Sequence, residues 1–120
     1  MAKSNYLENK VLDHFLGTSS TSAPSNVYVG LFTSDPTDAG SGTEVSGNGY
    51  TRKVATFSSA SSGSTSNSSA IEFTASGGAF GSITHFGVFD ASSSGNLLYH
   101  GSLTASKTIA DTDTLKISAT

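Results

Sequence analysis

Apolar and polar residues alternate most cleanly over Ser82–Asp90 and again over Asn96–Leu103. These two runs are the densest apolar, aromatic and β-branched region of the chain. Ala91-Ser-Ser-Ser-Gly95 between them is a turn by composition. The pattern predicts a central antiparallel β-hairpin. A different period governs the N-terminal end. Leu7, Val11, Leu12, Phe15 and Leu16 recur so as to form one stripe on a helix over about residues 4–16. Ser4 can cap its start, and Gly17 stands where a left-handed residue would end it. So short a helix is marginal alone. Its stripe must pack on the open face of the sheet or on a neighbouring subunit.

The remaining strands are read from about residue 26 onward. In Asn26–Thr33, Val27, Val29 and Leu31 share one face, and Tyr28, Gly30 and Phe32 the other. Pro36 stops that strand, since it lacks a backbone donor and restricts Asp35. A long glycine-containing loop follows over Thr37–Asn48, with Val45 its one large apolar residue. Thr51–Phe57 alternates as a strand. Ser58–Ser69 is a low-complexity polar run that predicts a mobile or partner-supported loop. Ala70–Thr74 is a short strand with Ile71 and Phe73 on the core face. Thr104–Ala110 carries only Ile109 as an anchor, and Thr114–Ala119 is the last strand. It stops in mid-pattern, which fits either an edge strand or a chain that continues past residue 120. The sum is one domain over residues 1–120, mainly β, predicted as an antiparallel, jelly-roll-like β-sandwich with one short N-terminal amphipathic helix.

Composition narrows the partners. Charged residues make up only 12% of the 120 residues and the net charge is −3. Six Lys and Arg are scattered along the chain, so no basic patch exists to hold nucleic acid. The surface is rich in Ser, Thr and Gly. Such a surface is wet but weakly charged, as suits an extracellular or assembled protein. There is no Cys, which fits a reducing compartment or stabilisation by packing and oligomerisation. No signal peptide or membrane-length apolar stretch is visible, and synthesis in the cytoplasm is expected.

Candidate chemistry is sparse. His85 and His100 could face each other across the predicted hairpin, but no further metal-ligand spacing accompanies them. Asp35 with Asp38, and Asp111 with Asp113, read as turn residues rather than calcium ligands. No serine lies in a nucleophile elbow, and no glycine-rich piece leads into a phosphate-binding helix. The expected catalytic, cofactor and metal residues are therefore none. Tyr28, Phe32, Phe86, Phe89 and Tyr99 could form a sugar-binding platform, but core or inter-subunit packing is the favoured reading. The helix lacks the Lys and Arg of a membrane-surface helix, so no membrane partner is expected.

Several segments in order resemble one family. They are Ala2–Gly17, Val27–Pro36, Gly42–Arg52, and Ile83–Asp90 with Gly95–Gly101. Together they resemble small structural proteins of tailed bacteriophages, common in cyanophages and described as virion-associated, tail-fibre-like or capsid-decorating. The resemblance covers nearly the whole chain, although such proteins commonly have further residues after the last strand. It implies a non-enzymatic virion component present in many copies, made in the host cytoplasm and assembled on the particle. The leading expectation is a capsid decoration (cement) protein, trimeric, bound to the major capsid protein or other virion proteins. Its expected interface is Leu7, Val11, Leu12, Phe15 and Leu16 with the loop around Glu44 and Val45. A tail or tail-fibre component is one alternative, and a host-surface carbohydrate-binding module is another.

Overall fold

A computed structural model describes residues 1–120. Seven strands and one helix follow in the order β1 (Ala2–Lys3), α1 (Asn5–Phe15), β2 (Val27–Phe32), β3 (Lys53–Ala55), β4 (Ile71–Thr74), β5 (Gly81–Phe89), β6 (Leu97–Ile109) and β7 (Thr114–Ile117). A five-stranded sheet has the order β1-β6-β5-β2-β3, and a two-stranded sheet joins β4 to β7. Every pairing is antiparallel. The chain is thus mainly β, and its two sheets enclose a common core in a sandwich-like arrangement.

Alternation fills that core. Val29 and Leu31 of β2, Ile83 and Val88 of β5, and Ile109 of β6 meet Ile71 and Phe73 of β4 and Leu115 of β7. Strict alternation along β5 would place Ile83 on the same face as His85 and Phe89. The register between β5 and β6 shifts between Ile83 and His85. That irregularity returns Ile83 to the core, the re-aiming that bulges achieve. On the outward side of β4 and β7, Glu72 and Lys116 are cross-strand partners whose side chains lie 4.0 Å apart.

The large sheet also carries a second, smaller apolar cluster on its other face. Phe32, Phe89 and Leu97 are buried there. Gly30 and Gly87 are cross-strand partners and make the hollow these side chains fill. A Cβ on Gly87 would come within 3.0 Å of Phe32 and Phe89 and 2.8 Å of Leu97. Two bare positions side by side therefore let aromatic rings lie directly on the backbone.

Three expectations need correction. β6 runs on to Ile109, which is the last residue of a strand rather than an isolated anchor. The strand expected over Thr51–Phe57 is limited to Lys53–Ala55. Ser58–Ser69 folds back on itself through bridges Phe57–Asn67 and Ser61–Ser64. It is held by polar bonds rather than apolar anchors: Asn67 Nδ2 donates to the Ser118 carbonyl at 2.9 Å, and Thr56 Oγ1 lies 2.8 Å from Ser68 Oγ.

Candidate functional site

The helix is tied to the sheet at one point. β1 pairs Ala2 with His100 and Lys3 with Tyr99, and Ser4 follows. Ser4 is almost fully buried. Its N–H donates to the Leu98 carbonyl at 2.8 Å, and its Oγ donates to the Leu97 carbonyl. The same Oγ accepts from Leu7 N at 3.2 Å, which makes Ser4 the N-cap of α1. Asn5 N then donates to the Asp38 carbonyl. The far end closes through Leu16 N to the Leu12 carbonyl, with Gly17 at φ +80°. The predicted helix and both of its terminators are present.

Beyond its first turn, α1 is uncovered. No residue of the helix is buried. Of the expected interface residues, Leu7 is half-buried, while Val11, Leu12, Phe15 and Leu16 are 36%, 56%, 78% and 73% exposed. Full burial of a Leu or Phe contributes about 1.5–3 kcal/mol. That stabilisation is unrealised for three adjacent side chains on an 11-residue helix, a length that is marginal in isolation. Their spacing of three and four residues sets Leu12, Phe15 and Leu16 side by side on one face of the helix.

Glu44 and Val45 do not join that surface. Val45 is in the main core, its N–H bonded to the Leu31 carbonyl at 2.9 Å. The expectation that it lies exposed is corrected. Residues 43–45 continue along the edge of β2, which turns Val45 inward. Glu44 is committed to neighbours within the chain. Arg52 binds it through one edge of its guanidinium, Nε to Oε1 and Nη2 to Oε2, each at 2.8 Å. Arg52 Nη1 donates to the Ala91 and Ser94 carbonyls at 3.1 and 2.7 Å. Its guanidinium carbon lies 3.4 Å from the centre of the Phe89 ring. Tyr50 OH donates to Glu44 Oε1 at 2.7 Å and accepts from Leu31 N at 2.9 Å. Burial of the phenol, then its bond to the Glu44 carboxylate, push its pKa well above the ordinary value. The Tyr50 ring stacks on Phe73 and meets Phe80 edge-on. This cluster fastens the long loop and the β5–β6 turn to the sheet. Sequence reading missed it because its members are drawn from four separate segments.

The other candidate groups have structural surroundings. His100 Nε2 is 2.7 Å from Asp38 Oδ1, and its Nδ1 is 3.9 Å from Asp35. His85 pairs with its neighbour Thr84 at 2.8 Å. His85, His100 and Asp35 border one shallow hollow, but no group of three or more His, Cys, Asp or Glu is gathered as a metal would require. Asp111 accepts from Gly77 N, and Asp113 from Ala110 N, each at 3.0 Å, as turn residues do. The five aromatics share no exposed face. Phe32 and Phe89 are buried on one side of the sheet, while Phe86 and Tyr99 pack against the core on the other. No helix is long and apolar enough to cross a membrane.

A family model described as "Podophage GP4 fiber I protein gp80" matches residues 2–120. The chain belongs to this family. It is accordingly a small phage virion structural protein, located in the particle. The family description names a fibre protein. It therefore agrees better with the tail or tail-fibre alternative than with capsid decoration, the leading expectation from sequence. No curated protein matches the chain.

Proposed function

We propose that this member of the podophage fibre family is a structural module of the phage fibre or tail. It is held in place by protein–protein contacts through α1. The single observation that carries this reading is the helix end that holds Leu12, Phe15 and Leu16 in solvent. The family description supports fibre over capsid decoration as the location.

The role is structural rather than catalytic. The sandwich and its polar cluster supply a rigid base, and Ser4 fixes the helix to it. The partners are other virion proteins or further copies of the chain, recognised by an apolar face with little charge. Imaging the virion with this chain traced tests the reading. Density for the domain at the fibre or tail, with α1 covered, is the expected result. Density over the head lattice overturns it.

A further inference from the structure

Of Asn5, Asn9, Asn26, Asn48, Asn67 and Asn96, only Asn48 precedes a glycine. A glycine leaves its own backbone nitrogen unshielded, since no Cβ crowds the approach to the preceding side chain. Asn48 and Gly49 have φ of +54° and +76°, and Tyr50 N donates to the Gly47 carbonyl at 2.9 Å. The pair thus forms the centre of a type I′-like turn. Both residues are exposed, and the Gly49 N–H donates to no group of the chain. Asn67, which precedes a serine, is the contrast. Its following amide, Ser68 N, is held by the Thr56 carbonyl at 2.8 Å, and its Nδ2 donates to the Ser69 and Ser118 carbonyls.

The Asn48 side chain is also a clasp. Its Nδ2 donates to the Ala79 carbonyl at 2.8 Å, and its backbone carbonyl accepts from Ser76 N at 2.9 Å. A Cβ on Gly78 would come within 2.7 Å of Asn48 Oδ1 and 2.8 Å of its Cγ, so the amide lies directly on the Gly78 backbone. These contacts tie the turn to the glycine-rich crossing that leads into Phe80. Just beyond them, the Tyr50 and Phe80 rings meet edge-on. The clasp needs a donor at position 48. A carboxylate has none and would set its oxygen against the Ala79 carbonyl.

We propose that Asn48 is a site of spontaneous deamidation, and that its conversion releases the Gly47–Tyr50 turn from the Gly78–Ala79 crossing. Asparagine is among the thermolabile residues. Hydroxide takes the Gly49 N–H proton, and that nitrogen attacks Asn48 Cγ. The Cγ–Nδ2 bond breaks, and ammonia leaves with a proton from water. The cyclic imide then takes up water at one of its two carbonyl carbons, giving aspartate or isoaspartate. Either product adds one negative charge to a chain of net charge −3. Isoaspartate also lengthens the backbone by a methylene inside the tight turn. A protein assembled into a particle is not replaced, so the change accumulates with the particle's age.

The test uses the purified, folded full chain, incubated in mildly alkaline buffer beside the same chain unfolded in urea. Peptide mapping by mass spectrometry, with isoaspartate detected separately, reads the site and the rate. In the folded chain Asn48 should convert ahead of every other asparagine, faster as pH rises, and Asn48→Gln should abolish the change at this position. Asn48→Asp supplies one product directly. Aspartate tolerates the left-handed backbone of the turn, so this variant isolates the loss of the clasp. Its unfolding equilibrium in urea should shift toward the unfolded state by about three- to tenfold. An Asn48 that stays intact in the folded chain while the unfolded chain converts there overturns the proposal. So does faster conversion at Asn67, or an Asn48→Asp variant as stable as the wild type.

Discussion

The Arg52 guanidinium carbon lies 3.4 Å from the centre of the Phe89 ring, while the N–H groups along its edges donate to the Glu44 carboxylate and to the Ala91 and Ser94 carbonyls. One side chain thus joins the long loop, the β5–β6 turn and the second apolar cluster. Arg52→Ala removes the stack and leaves Glu44 with one side-chain partner. The expected loss is about 2–4 kcal/mol in urea unfolding. Arg52→Lys should recover little of it, because a point charge lacks the flat fork.

Gly30 tolerates no side chain. A Cβ there would lie 2.8 Å from Glu44 Oε1, 3.0 Å from Tyr50 OH and 3.2 Å from Phe89. Gly30→Ala forces the polar cluster away from the sheet. Thermal unfolding should report a cost of about 1–3 kcal/mol, with a similar cost for its partner Gly87→Ala.

Ser4 is both the cap of α1 and its anchor to β6. Ser4→Ala removes the cap acceptor and leaves the buried Leu97 carbonyl without its hydroxyl donor. The expected cost is about 1–2 kcal/mol, with a reduced helical signal in circular dichroism. Ser4→Thr, which keeps the hydroxyl, should retain more of the signal.

Tyr50 sets a pH dependence on the alkaline side. Its pKa is raised in the folded state by burial and by Glu44. The folded chain therefore keeps the phenolic proton at pH values where the unfolded chain loses it, near pH 10. Stability from this group is complete below that pH and falls as pH rises above it. Tyr50→Phe should lower stability at neutral pH and flatten the alkaline decline. An alkaline profile unchanged by the substitution would contradict this account.

Local pattern carried much of the fold. Alternation in β2 and the central hairpin, and the 3.6-residue stripe of α1 with Ser4 and Gly17 at its ends, are properties of neighbouring residues. Asp90 accepts Asn96 N at 2.7 Å and Asn96 Nδ2 at 2.8 Å, closing a turn already marked by composition. The second half of β6 was hidden because Thr104–Thr108 is exposed along its length and needs no apolar alternation. Val45 was misread as exposed because its glycine-rich surroundings resemble a free loop. The Arg52 cluster joins residues 31, 44, 50, 52, 89, 91 and 94. No spacing within one segment encodes it. The uncovered helix face was legible only as an alternative, since the same stripe could have packed on its own sheet.

The central claim is that the domain is a fibre or tail module joined to the particle through α1. Electron cryo-microscopy of the virion at side-chain resolution tests it most directly. The account predicts this chain at the fibre or tail, with Leu12, Phe15 and Leu16 buried against protein. Copies spread over the capsid surface, or copies at the fibre with those three side chains still in solvent, would contradict it.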